Sequence, residues 1–217
     1  MSASTIVLAT RNAGKVRELA APLATYGLEV LDLDAFDVPE VEETGETFAA
    51  NALLKARAVA LATGLTAVAD DSGLAIAAMS GLPGVHSARY WQPGDVLPGL
   101  SDTEAAALPQ DERCIRKALH ALKDVPWNER KAYFCCTMCA VHPFETCVPL
   151  ISEGRWHGRI LDTIRGAGGF GYDPIFFDEE LGLTAAEMPR ETKMARSHRG
   201  QALAQLLAGW PDFWQHR

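Results

Sequence analysis

The polar run 10–15 stands between an apolar stretch, residues 5–9, and a helical pattern of apolar residues. Backbone N–H groups at the start of a helix and the positive end of the helix dipole favour an anion, and a lysine adds positive charge. The run is not a Walker loop, because that motif has Ser or Thr after its lysine, where this chain has Val16. The alternative is that Asn12 only caps the helix while Lys15 is solvated. The residues of this phosphate-binding candidate are Thr10, Arg11, Asn12, Ala13, Gly14 and Lys15.

Three carboxylates form an acidic candidate site. Glu43 precedes one helical pattern, and Asp70 and Asp71 follow a predicted strand, 66–69. Carboxylates at the carboxyl end of a strand are natural ligands for Mg2+. Adjacent strand residues point to opposite faces, so both aspartates reach one metal only if the chain turns, which the pair at 72–73 permits. We expect Asp71, nearer to that turn, to be the ligand or base; the alternative is a capped turn with solvated carboxylates.

A glycine-rich run, 166–174, formally matches the G-x-G-x-x-G pattern. It fails as a dinucleotide fingerprint, because the last glycine should open a helix, whereas Pro174 and the apolar residues 175–177 predict a strand. A loop this rich in glycine lets the backbone approach a flat ligand, on which Phe170 or Tyr172 would stack. The alternative is a tight connection with a purely structural role.

The last group of candidates lies before and at the start of the final predicted helix. Ser197 is a cap candidate, and His198 and Arg199 place donors in the first turn, with Lys193 four residues before the cap. Cations there oppose the helix dipole unless an anion or an acceptor group is present, which is a hint of a binding site. The alternative is a charged helix face.

The cysteines Cys135, Cys136 and Cys139 are crowded within five residues. Cys136 and Cys139 have the spacing of half a zinc site, but no second Cys/His pair stands at finger spacing. The run 133–141 predicts a buried strand, so core packing is the favoured interpretation. Few cysteines, unevenly spaced, favour a reducing cytoplasm over a disulfide framework.

The elements that must position these residues alternate at the start of the chain. Strand, helix, strand and helix patterns follow one another, which predicts an α/β fold. The predicted helices begin after residue 12, span 48–62, contain Ile115 and Leu122, and begin at Ser197. A surface loop is predicted at 92–99, and a turn at 153–154 between two strands. The predicted strands are 5–9, 29–33, 66–69 with a resumption at 74–78, 133–141, 148–152, 155–160 and 175–177.

Composition limits the function classes. The chain has 217 residues, Lys+Arg 20 and Asp+Glu 28, for a formal net charge of −8. Nucleic-acid binders usually carry a basic surface, so we expect no nucleic-acid partner. No apolar run approaches the roughly 18–20 residues that cross a bilayer, so we expect no membrane association and a cytoplasmic protein. The length predicts a single domain, 1–217, in two lobes.

Taken in order, these motifs resemble the non-canonical purine nucleoside triphosphate pyrophosphatases, also called inosine triphosphate pyrophosphatases or XTP/dITP diphosphatases. Phe-Gly-Tyr-Asp-Pro at 170–174 and Ser-His-Arg at 197–199 are the most specific matches. Two departures are Arg11, where the family usually has Gly or Ser, and a longer connection at 92–110. The matching blocks are 6–23, 42–57, 67–90, 166–177 and 186–203.

The resemblance implies an elongated, two-lobed α/β protomer with a long central mixed sheet flanked by helices, a nucleotide cleft between the lobes, and a homodimer. It implies Mg2+-dependent hydrolysis of ITP, dITP or XTP to the monophosphate and pyrophosphate. Glu43 and Asp71 would bind Mg2+, and Asp71 would also orient or deprotonate water. The phosphate loop 10–15, Lys55 and Ser72 would bind the substrate. The base pocket would comprise Phe170, Gly171, Tyr172, Asp173, Lys193, His198 and Arg199.

Two hypotheses follow. The first is an enzyme that removes non-canonical purine triphosphates from the nucleotide pool. The second is a purine-nucleotide sensor that binds without hydrolysis. The retention of both Glu43 and Asp71 argues against the sensor.

Overall fold

A computed structural model describes residues 4–144 and 148–215 of the chain. Within these residues, seven strands form one sheet in the order β2-β1-β3-β4-β5-β6-β7. Strand β1 is parallel to both β2 and β3, whereas β5–β6 and β6–β7 are antiparallel, so the sheet is mixed. The strands are β1 Ser4–Leu8, β2 Leu28–Asp32, β3 Thr66–Ile76, β4 Lys131–Val141, β5 Leu150–Ile160, β6 Phe176–Asp178 and β7 Leu183–Thr184.

Helices flank the sheet and confirm the α/β prediction. The Asn12 side chain caps α1, and the Thr47 side chain caps α2, which ends at Gly64 in the left-handed conformation. Helices α3 and α5 are additional to the prediction. The helices are α1 Ala13–Thr25, α2 Phe48–Thr63, α3 Asp102–Ala107, α4 Gln110–Ala121, α5 Arg190–Arg196 and α6 His198–Gln215. Short 3-10 helices cover Leu33–Ala35, Ala77–Met79, Gly84–Arg89 and Trp127–Glu129.

The chain divides into two compact units. The first unit takes its residues from Met1–Ser72, Cys136–Arg155 and Ser197–Arg217. One of its apolar clusters joins β1, α1 and α6 through Ile6, Leu19 and Leu206. A second cluster packs α2 against β1 and β3. The burial of these clusters is what fixes α1, α2 and α6, the helices that carry candidate residues, within this unit.

The second unit comprises Gly73–Cys135 and Trp156–Arg196 and has its own apolar core. The 92–110 connection, expected as a surface feature, contributes to that core. Leu97 and Ala105 are 2% and 3% exposed, and Ala105 lies in α3, which a Ser101–Glu104 capping box begins. The remaining residues of 92–110 are exposed or partly exposed, as expected for a surface feature. The two buried residues were not anticipated, because isolated apolar residues among Pro and Gly give no periodic signal.

Two places where the sequence allowed or predicted a turn lie inside strands. Strand β3 runs without a break through residues 70–73, so the chain does not make the turn that the pair at 72–73 would permit. Strand β5 likewise continues through Gly154. A Cβ on Gly154 would lie 2.1 Å from the carbonyl oxygen of His198, so this glycine permits the close approach of α6 to the strand.

The cysteine prediction is confirmed for the described residues. Cys135, Cys136 and Cys139 lie in β4, are 3%, 0% and 0% exposed, and are not joined in disulfides. Within the described part of the chain, no helix is long and apolar enough to cross a membrane.

Candidate active site

Lys55 lies between two carboxylates in the first unit. Its Nζ is 2.7 Å from Glu43 Oε1 and 3.3 Å from Asp71 Oδ1, and its side chain is 14% exposed. Burial alone would lower the pKa of Lys55, but Asp71, Asp70 and Glu43 together raise it. The ammonium is therefore charged at neutral pH and neutralises part of an acidic pair.

Burial acts in the opposite sense on Asp71. It raises the pKa of the Asp71 carboxyl, Glu43 raises it further, and Lys55 offsets these effects only in part. A carboxylate with a raised pKa accepts a proton more readily than an exposed one. This is a property suited to orienting or deprotonating water.

Asp70, the neighbour of Asp71, has a separate set of partners. Its Oδ2 lies 3.1 Å from Lys15 Nζ and 3.1 Å from Arg199 Nη2. Burial opposes ionisation of Asp70, but Lys15 and Arg199 outweigh it and hold the pKa of this carboxyl well below its usual range. Because β3 does not turn here, Asp70 and Asp71 serve different partners, as the alternation of a strand requires.

Arg199 is 2% exposed and donates to three side chains of the first unit. Its Nη1 is 2.8 Å from Glu18 Oε2, and its Nη2 donates to Ser72 Oγ at 2.7 Å as well as to Asp70. Ser197 accepts a hydrogen bond from Gly200 N–H and so caps α6, as predicted. The sequence indicated that cations in the first turn of this helix need an anion or an acceptor group. The buried carboxylates that Arg199 contacts meet part of that need.

In the phosphate-loop candidate, 10–15, two of the backbone N–H groups that were expected to face an anion already have a partner. Asn12 Oδ1 accepts hydrogen bonds from the N–H groups of Gly14 and Lys15, at 2.9 and 3.2 Å, so these two amides are engaged. Lys15 is held against Asp70 and is not a solvated first-turn residue. Thr10 Oγ1 accepts from the Asn12 N–H at 3.1 Å, which stiffens the start of the loop.

Arg11, the departure from the family pattern, lies in the same loop. Its Nε is 3.1 Å from Asp34 Oδ1, and its Nη2 donates to the Val38 carbonyl at 2.7 Å. The side chain therefore ties the loop to the segment that follows β2.

The second unit holds the glycine-rich loop. Phe170 N–H donates to Asp173 Oδ2 at 2.9 Å, and Lys193 Nζ reaches the same carboxylate oxygen at 2.7 Å. The Lys193 Nζ also lies 5.1 Å from the centre of the Phe170 ring, within cation–π range. These contacts bring together three of the predicted base-pocket residues.

The neighbours of Phe170 are fixed from other segments of this unit. Tyr172 is buried, and its hydroxyl donates to the Ser87 carbonyl at 2.9 Å. Gly171 N–H donates to Asp111 Oδ2, at the start of α4, at 2.8 Å. Tyr172 is thus a structural anchor of the loop rather than an exposed stacking surface, which leaves Phe170 as the stacking candidate.

The carboxylates of Glu43 and Asp71 fit a hard cation. Among the described residues, no group of three or more His, Cys, Asp or Glu side chains could hold a metal. Mg2+ does not require such a cage, because it is usually held by one or two carboxylates, water and substrate phosphates. The two carboxylates already converge on one cationic group, the Lys55 ammonium, so their placement suits a single cation.

Sequence reasoning missed two residues of this site. Asn51 donates to Asp71 Oδ2, and Glu18 pairs with Arg199. Both lie on helices that carry a predicted ligand, Asn51 four residues before Lys55 and Glu18 three after Lys15. Helical spacing of this kind places side chains on one face and was the available signal.

Comparison with known proteins finds relatives along nearly the whole chain. The Ham1 family model matches residues 6–209. A dITP/XTP pyrophosphatase of Nitratidesulfovibrio vulgaris is 54% identical over 216 residues, covering 99% of this chain and 100% of the relative. One from Pectobacterium atrosepticum is 48% identical over 202 residues, 93% of this chain and 95% of the relative. The structure of a HAM1 protein from Coxiella burnetii superposes with a TM-score of 0.81 at 40% identity, covering 96% of this chain and 98% of that one.

Proposed function

This chain belongs to the Ham1 family, and from that premise we propose that it hydrolyses ITP, dITP and XTP to the monophosphate and pyrophosphate. Relatives at 54% and 48% identity are named dITP/XTP pyrophosphatases. The observation that carries the proposal is the convergence of Glu43 and Asp71 on Lys55. Acidic and basic groups in contact with one another suit a metal-bound polyphosphate.

In this mechanism, Glu43 and Asp71 would hold Mg2+, which would supply positive charge to neutralise the phosphates. Asp71 would orient the attacking water or accept its proton, as the family resemblance implies. Lys15 and Lys55 bind phosphate oxygens, with Thr10, Asn12 and Ser72 as further contacts.

The base is the second part of the proposal. Phe170 stacks on the purine, and Tyr172 and Asp173 shape the loop that presents it. Lys193, in the same unit as Phe170, would supply a donor that matches the O6 acceptor of hypoxanthine and xanthine. Adenine, with an amino group at this position, would leave a donor without a partner, which disfavours ATP.

A direct assay tests this activity. The protein is incubated with ITP, XTP, dITP, ATP and GTP in the presence of Mg2+, and pyrophosphate and orthophosphate are measured separately. We expect pyrophosphate as the direct product, rapid turnover of the three non-canonical substrates and slow turnover of ATP. Orthophosphate as the direct product, or equal rates on ATP and ITP, would overturn the proposal.

Asp71→Asn tests the assignment of the reacting group. We expect turnover to be lost while nucleotide binding, measured by calorimetry with ITP, is largely kept. Asp95→Asn, in the second unit, is a control that removes a carboxylate paired with Lys117 and no group of the proposed machinery. Unchanged turnover in Asp71→Asn would remove this residue from the mechanism.

A homodimer and a cytoplasmic location belong to the same proposal. The resemblance to the family supports the first, and the buried thiols of β4, which are not joined in disulfides, are consistent with the second. Sedimentation equilibrium at several concentrations tests the dimer, and a mass of about 23.5 kDa at all of them would contradict it.

A further inference from the structure

Asn51 contacts both segments that carry the proposed metal ligands. Its side chain is 0% exposed. Its Oδ1 accepts a hydrogen bond from the Gly45 N–H at 2.7 Å, and its Nδ2 donates to Asp71 Oδ2 at 3.1 Å. Because Gly45 lies two residues after Glu43, one carboxamide links the Glu43 segment directly to Asp71.

These two partners restrict the residue type at position 51. One partner is a donor and the other an acceptor, and a primary carboxamide offers both functions on one short side chain. An aspartate would keep the bond to Gly45 N–H but would place a second negative charge against Asp71. A leucine of similar size would leave the amide and the carboxylate oxygen without this partner in a buried setting, which is costly.

Gly45 shows how closely the two segments meet. A Cβ at this position would lie 2.6 Å from Asn51 Oδ1 and 2.7 Å from the Cβ of Ala50. Gly45 is absent from the glycines with positive φ, so its backbone is one that alanine also adopts. The glycine is required by contact with Asn51 and not by its conformation.

Asn51 and Lys55 divide the two oxygens of Asp71. Asn51 takes Oδ2, and Lys55 takes Oδ1 together with Glu43 Oε1. The bond from Asn51 does not depend on which cation faces Oδ1, because the carboxamide is neutral. We propose that Asn51 is a positioning residue that holds Glu43 and Asp71 in the placement that a divalent cation requires, an inference that rests on the proposed function.

The test compares Asn51→Leu, Asn51→Ser and Gly45→Ala with the unaltered protein. The primary measurement is the Mg2+ concentration that gives half of the maximal rise in Tm, which requires no turnover. We expect that concentration to increase by about tenfold or more in each variant, as for other residues that orient metal ligands. In kinetic assays we expect kcat for ITP at moderate Mg2+ to fall and to recover in part at high Mg2+.

Val59→Ala is the matched control. Val59 is buried in the same helix, one turn beyond Lys55 and two turns beyond Asn51, and packs in an apolar cluster. We expect this variant to lower Tm without Mg2+ while its Mg2+ midpoint stays within about twofold of the unaltered protein, because no group that orients the carboxylates is lost. Asn51→Ser, which is smaller, keeps the comparison available if Asn51→Leu does not fold.

The outcomes separate the two proposals. An unchanged Mg2+ midpoint in both Asn51→Leu and Asn51→Ser would overturn the role of Asn51, whatever the loss of Tm. No Mg2+-dependent rise of Tm in the unaltered protein would overturn the metal assignment and this inference with it. A normal Mg2+ titration without hydrolysis of ITP would overturn the proposed function alone.

Discussion

The buried charges around Arg199 allow a quantitative prediction. Arg199→Met removes the guanidinium and retains most of the aliphatic volume. Asp70, which is 1% exposed, then keeps Lys15 as its remaining cationic partner, and Glu18 loses its ion pair. Removing one member of a buried ion pair costs about 3–5 kcal/mol, because a charge remains without compensation.

The lower end of that range applies here. Lys15 Nζ lies 3.1 Å from Asp70 Oδ2, and the Glu18 side chain, which is 12% exposed, is already in partial contact with water. We therefore expect a loss of about 3 kcal/mol. For a protein of this size, one kcal/mol corresponds to about 2–4 °C in Tm, so the expected fall is roughly 6–12 °C.

The measurement is thermal unfolding, followed by circular dichroism and by tryptophan fluorescence. If the two signals give the same transition, unfolding is two-state and the change in Tm can be converted to a free energy. Arg116→Met is the control. Arg116 makes an equally short contact, 2.7 Å, with Glu112, but the two side chains are 44% and 34% exposed. We expect it to lose at most about 0.5 kcal/mol. If the loss of unfolding free energy in Arg199→Met were no larger than the loss in Arg116→Met, burial would not be what makes the ion pairs of Arg199 stabilising.

Three further predictions concern single groups. Because the pKa of Asp70 is lowered in the folded protein, its ionised carboxylate stabilises the fold above the ordinary carboxyl pKa of about 3.9, and this stabilisation is lost as pH falls. Urea unfolding from pH 7 to pH 3 should therefore show a smaller loss of unfolding free energy in Asp70→Asn than in the unaltered protein. Equal losses in the two proteins would contradict this. Arg11→Ser should change the KM for ITP by less than about threefold, since the guanidinium is bound to Asp34 and the Val38 carbonyl; a tenfold rise would indicate direct phosphate contact. Burial raises the pKa of Cys139 to about 12, so peptide mass spectrometry after native iodoacetamide treatment at pH 8 should find no alkylation at Cys135, Cys136 or Cys139, whereas alkylation there would refute inert core packing.

The elements with local signals were predictable. Helix α1 has an apolar stripe and a capping Asn12, and α2 has an Ala- and Leu-rich run that Gly64 ends, so both were found near their true positions. The continuation of β3 was not predictable from residues 70–73, which have the composition of a turn. The charge of Asp70 is compensated by Lys15 and Arg199, 55 and 129 residues away, and no local pattern contains that information.

The candidate site divides in the same way. Glu43, Lys55 and Asp71 were identified from their residue types and the family resemblance, and the structure brings them together. Asn51 was less visible, because asparagine in a helix usually indicates nothing more than a weak helix former. Its importance depends on a backbone N–H of Gly45 and a carboxylate of another element, both set by tertiary packing.

If Lys15 and Lys55 bind phosphate as proposed, their present contacts with carboxylates must be replaced when a nucleotide binds. Three cationic side chains, Lys15, Lys55 and Arg199, contact carboxylates, among them those of Glu18, Glu43, Asp70 and Asp71. A triphosphate approaching this group alone would meet lysines already neutralised. Lys55 turns to phosphate at low cost only if another cation takes its place at Glu43 and Asp71. Binding of a divalent cation and binding of a polyphosphate should therefore favour one another, and by linkage each should strengthen the other equally.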